Sequence, residues 1–357
     1  MMKILMVTFS DNADHQDTTF GMYEQLQKDS EFEAYLLAIK TPKVPLQQSD
    51  HTWLVDCPKR PGICKQTFNI PLLFSLITKI KKEKFDAVYF ESLHVWNLPI
   101  MRAIKGQTHI FHVIHDVIPH KGDRSYKKVN FFNKILVKLA DTIVLRNKKY
   151  ISYMYSNYCA KENQVKYLGL WRRYPAYTPP TYSHKVLFFG RMNPYKGIDN
   201  LLQIVKNCPN IQFDIVGKVD PQVQDMVNLL AKEQNTTIKT GYVSDEEMKQ
   251  YFIDCDWSIV PYRSASQSGI IIDSYKYSRP VIAFDVGAIG EQISDKESGF
   301  LIPAGNISAF SARLRELINC SKEQYDLFSR KAYQFGSQKY AAVGQVESFK
   351  SFIKENL

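Results

Sequence analysis

KVLFFGRMNPYKGIDNLLQIV, Lys185 to Val205, reads as a buried strand, a glycine turn, a basic loop and an amphipathic helix in direct succession. A strand that feeds a helix through a short loop is the repeating step of a parallel sheet with crossover helices, and the rest of the chain repeats it. Upstream, strands are expected at Lys3–Phe9, Ala34–Ile39, Ala87–Ser92, His109–Asp116 and Thr142–Asn147. Downstream they are expected at Ile211–Gly217, Thr237–Val243, Asp256–Tyr262 and Pro280–Gly287. Their apolar runs are nearly continuous, which suits strands buried on both faces. Between the two series lies WRRYPAYTPPTYSHK, Trp171 to Lys185, whose prolines cannot continue a helix or a central strand. With 357 residues the chain exceeds one ordinary domain. The expectation is therefore α/β, with two Rossmann-like doubly wound parallel-sheet domains at 1–170 and 186–337, a linker at 171–185, and a cleft between the domains. VESFKSFIKENL spaces Val346, Phe349 and Phe352 at helical intervals, so 338–357 is expected as a terminal amphipathic helix packing back on the first domain.

Composition narrows the classes further. Hydrophobic residues make up 45% and charged residues 23%, which places the chain among folded globular proteins. The apolar run at Ile4–Val7 is too short for a secretory signal, and stretches such as Ile70–Ile80 fall short of a bilayer span, so a cytoplasmic address is expected. Six scattered cysteines show no paired spacing and read as reduced structural thiols. The net charge of +10 predicts attraction to a polyanion. Charge alone leaves nucleic acid, an anionic lipid surface and phosphorylated small substrates open.

Ligands of open parallel sheets bind beyond the carboxyl ends of the strands, so the loops that follow strands carry the candidate chemistry. In FGRMNPYKG, Gly190 permits a sharp turn, Arg191 stands at the strand edge, and Lys196 precedes the helix. A bidentate arginine fork and a mobile lysine at a helix entrance make a clamp for a diphosphate, against the plainer reading of a solvated basic loop. In RSASQSGIIIDSYKYSRPV, the small residues Ser266, Ser268 and Gly269, with Gln267 and Ile270 around them, let backbone N–H groups approach an anion. Asp273, one turn further on, can accept from ribose hydroxyls or simply face solvent. In HIFHVIHDVIPHKGD, the histidines His112, His115 and His120 invite a metal reading, but strand alternation sends neighbours to opposite faces and no fourth ligand follows, so no metal is expected. Gly241 to Ser244 joins a strand to a helix whose start carries the Ser244/Glu247 capping-box pattern.

GRMNPYKGIDNLL resembles the G-R-x-x-P-x-K-G loop of glycosyltransferase family 4, the "glycosyl transferases group 1" of bacterial surface-polysaccharide type. The resemblance is specific across about Val186 to Ala304 and diffuse in the first half. It implies the GT-B fold and a retaining transfer from a nucleoside-diphosphate sugar, UDP- or GDP-linked, without metal or other cofactor. Arg191 and Lys196 would hold the donor diphosphate beside Gly190. Gln267, Ser268, Gly269, Ile270 and Asp273 would complete the donor site, and the loop at Val243 would read the base through its backbone. His115 would face the donor sugar, with Asp116 and His120 toward the acceptor. Two departures stand out. Where the family carries a pair of glutamates, this chain has Ala265 and Asp273, leaving Gln267, Ser268 or Glu291 to meet the sugar. The loop after the first strand lacks paired glycines, leaving Gly21 to approach diphosphate or acceptor.

The resemblance implies a lipid-linked saccharide acceptor in O-antigen, capsule or exopolysaccharide assembly, and no nucleic acid. The basic, aromatic segment VNFFNKILVKL suits docking on an anionic membrane surface, which would make the protein peripheral on the inner face of the plasma membrane. The plainer reading places Phe131, Phe132, Ile135 and Leu136 in the core. The alternatives to transfer are a non-catalytic nucleotide-sugar-binding scaffold and an epimerase or phosphorylase of the same fold.

Overall fold

The computed structural model describes residues 1–46, 49–58, 64–115, 117–118, 126–265 and 267–357. The chain divides into two compact units, residues 1–173 with 340–357 and residues 174–339.

The first unit runs β1 (Met2–Thr8), α1 (Ala13–Leu26), β2 (Phe32–Ile39), β3 (Thr52–Val55), α2 (Ile70–Glu83), β4 (Ala87–Phe90), α3 (Asn97–Ile104), β5 (His109–Ile114), α4 (Tyr126–Leu139), β6 (Thr142–Leu145), α5 (Ile151–Tyr158) and β7 (Val165–Tyr167). The strands form a seven-stranded parallel sheet in the order β3-β2-β1-β4-β5-β6-β7. The chain winds outward from β1 to one side, then returns and winds to the other, so loops at the reversal between β1 and β4 open at the carboxyl edge. Successive side chains of β1 serve opposite faces. Leu5 and Val7 join Leu76, Ile80, Ile100 and Leu136 under α2, α3 and α4, whereas Ile4 and Met6 join Phe20 and Tyr23 of α1. Burial on both sides is why β1 reads as a continuous apolar run.

The second unit runs β8 (Lys185–Phe189), α6 (Ile198–Asn207), β9 (Gln212–Gly217), α7 (Gln224–Leu230), β10 (Thr236–Thr240), α8 (Asp245–Asp254), β11 (Trp257–Val260), α9 (Gly269–Lys276), β12 (Val281–Asp285), β13 (Gly299–Pro303), α10 (Ile307–Ile318) and α11 (Lys322–Tyr340). Its six strands are parallel, in the order β10-β9-β8-β11-β12-β13. Here too the order reverses, between β8 and β11, and the loops after these two strands are the ones the sequence marked.

A last helix, α12 (Ala342–Glu355), belongs to the first unit. Its Phe349, Phe352 and Ile353 lie in the same cluster as Ile4, Phe20 and Trp171. Lys350 fixes its outer side on Asp29 at 2.6 Å and Glu31 at 2.7 Å.

The segment expected as a linker is anchored at several points, with Pro175, Ala176, Pro179 and Thr181 exposed between them. Trp171 is fully buried in the first unit, with its indole N–H donating to the Thr18 carbonyl at 2.7 Å. Arg173 pairs with Asp17 at 2.8 Å and Glu24 at 3.2 Å. From Tyr174 onward the strap lies on the second unit, where Tyr174 donates to the Ile272 carbonyl and the backbone N–H of Thr178 to the Ser278 hydroxyl, both at 3.2 Å. Proline excluded regular structure there, as expected, while tyrosines supplied contact area with a polar tip.

Candidate active site

At the carboxyl edge of the second unit, β8 is followed by Gly190 and exposed Arg191, and Pro194–Lys196 make one tight turn before α6. Gly197 sits at φ +68°, and a Cβ there would stand 2.0 Å from the Pro261 carbonyl oxygen, so the loop lies directly against the end of β11. That closeness explains the Lys-Gly pair: only glycine permits the approach. It delivers the Lys196 ammonium to Tyr262, with Nζ 2.5 Å from the phenol oxygen and 4.2 Å from the ring centroid.

The loop after β11 is fixed from two sides. Gly287, at φ +59°, brings the loop after β12 so close that a Cβ would meet the Ala265 carbonyl oxygen at 1.6 Å, and the Ala288 N–H donates to that oxygen at 3.2 Å. Ala265 itself is buried. Gln292 reads both backbone groups of Ser268: its Oε1 accepts from the Ser268 N–H at 2.6 Å, and its Nε2 donates to the Ser268 carbonyl at 3.0 Å. Ser268 is the N-cap of α9 but its hydroxyl makes no capping bond, lying instead 3.4 Å from the Tyr262 hydroxyl. The first N–H groups of α9 thus take no bond from the Ser268 hydroxyl, and a helix start of this kind suits an incoming anion.

The donor candidates fall around this point. Gly190 borders Lys196 and Ile270, since a Cβ on it would lie 3.4 Å from Nζ and 3.8 Å from the Ile270 side chain. Gln267 is half-buried and Asp273 buried, one turn into α9. Val243 is half-buried after β10, just before the α8 capping box, in which Ser244 and Glu247 exchange both bonds. Glu291 is exposed, its carbonyl accepting from Lys339. Ser266 lies outside the described residues.

At the carboxyl edge of the first unit, parallel register sets the ends of β4, β5 and β6 side by side, so Glu91, His115 and Arg146 follow the strands as neighbours. Glu91 is fully buried and its Oε2 accepts from Arg146 Nη2 at 2.6 Å. Arg146 also donates to the Gly169 carbonyl at 2.7 Å and the Tyr89 hydroxyl at 3.0 Å, with its guanidinium over the Trp171 ring at 4.4 Å. His115 Nε2 donates to the Glu91 carbonyl at 2.8 Å, and Glu91 Oε1 lies 3.1 Å from the same nitrogen. Burial pushes the Glu91 carboxyl up, but Arg146 and His115 outweigh it and hold the group below the usual carboxylate range. His15, from the first turn of α1, stacks on His115 with centroids 4.6 Å apart, its Nδ1 3.0 Å from the Ser10 hydroxyl.

One expectation needs correction here. Gly21 is not in a loop after β1; it lies inside α1, where a Cβ would stand 2.9 Å from Arg173 and 3.4 Å from Ala342, so it serves helix packing and not ligand approach. His112 is a core residue: its Nε2 meets the Asn97 amide nitrogen at 3.0 Å, its Nδ1 meets the Val113 carbonyl at 2.8 Å, and burial pushes it down to about 4. Asp116 and His120 lie outside the described residues. Among the described residues, no group of three or more His, Cys, Asp and Glu side chains could hold a metal ion. Sequence reading missed Tyr262, Gln292, Glu91, Arg146 and His15. Tyr262 alone had a local signal, as the aromatic residue closing a strand beside a marked loop.

With this geometry in hand, residues 183–320 match the family model described as "Glycosyl transferases group 1". Over 119 residues the chain is 32% identical to an uncharacterized 41.2 kDa protein in the cps region of Klebsiella pneumoniae, covering 33% of this chain and 32% of that one. Over 103 residues it is 27% identical to the GDP-mannose:glycolipid 4-beta-D-mannosyltransferase of Xanthomonas campestris pv. campestris, covering 28% and 30%. The chain thus spans about a third of the length of these curated relatives. Among solved structures, HepE of Anabaena in complex with UDP and glucose superposes with a TM-score of 0.71 at 14% identity, over 99% of this chain and 100% of that one. The likeness establishes the fold class, GT-B, two Rossmann-like domains in one chain.

Proposed function

We propose that this chain is a retaining, metal-independent glycosyltransferase that moves a sugar from a UDP- or GDP-linked donor to a hydroxyl of a lipid-linked saccharide. The observation that carries the reading is the convergence in the second unit of the Lys196 ammonium, the turn at Gly190–Arg191 and the uncapped start of α9. In transfer, the bond from the anomeric carbon to the diphosphate breaks as the acceptor oxygen bonds the same face, and the acceptor proton passes to the departing diphosphate. Arg191, Lys196 and the α9 amides stabilise the charge that develops there, a contribution of about a hundredfold or more per well-placed donor. From the first unit, His115, held by Glu91, serves the transferred sugar. Support for the donor and acceptor classes comes from what the relatives are named for: a GDP-mannose:glycolipid mannosyltransferase, an uncharacterized protein in a cps region, and a structure in complex with UDP and glucose.

No described helix is long and apolar enough to cross a membrane. Docking on an anionic surface is supported by α2 and α4, which cover the same face of the first sheet. Just before and within α2, Phe68 and Phe74 are 78% and 64% exposed, and Phe131 on α4 is 61% exposed. Exposed Lys81, Lys82, Lys134 and Lys138 flank them, while Leu136 points into the core. Aromatics beside lysines are suited to an anionic interface. A scaffold reading draws on Ala265, because the family carboxylate is missing there. The deciding experiment is product formation from a panel of UDP- and GDP-sugars with a lipid-linked saccharide, with and without EDTA. Turnover that survives EDTA is expected; donor binding without turnover favours the scaffold, and activity lost with EDTA removes the metal-independent mechanism.

A further inference from the structure

A single exposed aromatic residue is ordinary on a protein surface, and only its place can give it a task. Tyr242 is 82% exposed and stands just past β10, at the carboxyl edge where the donor candidates gather. Three adjacent strand ends lead to it from the diphosphate loop, each marked by a glycine: Gly190 after β8, Gly217 closing β9 and Gly241 after β10. They lie in direct contact. A Cβ on Gly217 would stand 1.9 Å from the Gly190 carbonyl oxygen, and the Gly241 N–H donates to the Gly217 carbonyl at 3.1 Å. A Cβ on Gly241 would meet nothing within 4 Å, so the floor beside Tyr242 is open backbone. Two strand spacings put Tyr242 roughly 10 Å along the edge from Gly190 and the Lys196 ammonium beside it. In a nucleoside diphosphate, a ribose fills a gap of that order between diphosphate and base. The loop after β9 links the two ends. The Lys218 carbonyl accepts from the Met192 N–H at 2.8 Å, next to Arg191, and the Lys218 ammonium lies over the Tyr242 ring, 5.5 Å from its centroid. That cation draws the ring toward the end of β9, and so toward the diphosphate loop.

We propose that Tyr242 is the platform on which the donor's nucleobase stacks, with Lys218 setting the ring and the glycine floor leaving room for the ribose. The inference rests on the reading of Arg191 and Lys196 as diphosphate ligands, and it adds the side chain that holds the other end of the nucleotide. Every base has a π-face, so a stacking platform strengthens binding without choosing between uracil and guanine. Choice of base then falls to the backbone at Val243, half-buried one residue further on.

The test is titration of UDP, GDP and inorganic pyrophosphate into the full chain as wild type, Tyr242→Ala, Tyr242→Leu, Tyr242→Phe and Lys196→Ala. Tyr242 is exposed and takes no part in the core, so its variants are expected to fold and melt like wild type. For whichever nucleotide binds, Tyr242→Ala and Tyr242→Leu are expected to weaken it about tenfold, because stacking is lost, and Tyr242→Phe to stay within about twofold of wild type. Pyrophosphate carries the charge and no base, so it should bind all three alike, whereas Lys196→Ala should weaken it together with the nucleotide. Unchanged nucleotide binding in Tyr242→Ala, while Lys196→Ala loses it, would overturn the platform. Equal loss of pyrophosphate and nucleotide in Tyr242→Ala, or no difference between Tyr242→Leu and Tyr242→Phe, would do the same. No nucleotide binding in wild type, or unchanged binding in Lys196→Ala, would instead sink the donor reading, and this inference with it. Where pyrophosphate binds too weakly to titrate, the contrast between Tyr242→Phe and Tyr242→Leu decides alone.

Discussion

The carboxyl edges of the two sheets are built in opposite ways. In the second unit the edge is made of consecutive loop residues and backbone. Gly190, Arg191, Lys196 and Gly197 come from one turn, and the loop facing them is set by carbonyl contacts at Pro261 and Ala265. In the first unit the edge is made of lone side chains from separate strand ends, buried Glu91 and Arg146 and part-buried His115, joined by charge. A site of the first kind leaves a contiguous signature and tolerates exposure. A site of the second kind leaves none, and its parts hold one another in place.

That contrast makes predictions of different size. Glu91→Ala should be the most damaging change, because it strands Arg146 in the interior; about 3 to 5 kcal/mol of first-unit stability should be lost in chemical denaturation. Replacing both partners with Met should recover most of it, and nucleotide binding by the second unit should be untouched. A drop in that binding would break the separation drawn here.

Acid should also act on the first unit. His112 titrates near 4 in the folded chain against about 6.5 when unfolded. Above about pH 6.5 it is neutral in both states and neither favours unfolding. As pH falls, the unfolded chain takes up the proton first, so stability should decline between about pH 6.5 and 4 by up to about 3 kcal/mol. The decline should be smaller over that window in His112→Leu, judged by slopes and not midpoints, and the remainder includes His109, which burial also pushes down. Glu91, held low, should add its loss only at still lower pH.

Arg191→Ala and Lys196→Ala should each cut turnover by about a hundredfold, near 2.7 kcal/mol in activation free energy. Arg191 is exposed, so its removal should leave melting within about 0.5 kcal/mol of wild type. The smallest effect should come from Ser244→Ala, which removes one half of the α8 capping box and about 1 kcal/mol from the second unit alone.

The same contrast governs what could be read from residues in advance. Both doubly wound units were legible, since strands buried on two faces betray themselves by unbroken apolar runs. Three strands escaped. β3 and β7 are short sheet-edge strands, and β13 (GFLIP) closes on a proline, so none carries a long apolar run. That Gly190, Arg191 and Lys196 share one turn and that Ser268 and Gly269 open a helix was legible because each group is contiguous in sequence. Gly21 misled, since a glycine soon after a strand signals a ligand loop by chemistry alone, and only packing against Arg173 and Ala342 reveals a helix contact. Glu91 and Arg146 were invisible because 55 residues separate them in sequence and only strand register joins them.

The most direct test of the central claim, that the second unit binds a donor's diphosphate through Arg191 and Lys196, is the thermal shift of the full chain with UDP- and GDP-sugars. At about a hundred times the dissociation constant, the cognate donor should stabilise the folded protein by about 2.7 kcal/mol, and the Arg191→Ala, Lys196→Ala double variant should lose that shift. No shift with any nucleotide sugar, or a full shift in the double variant, would contradict the account.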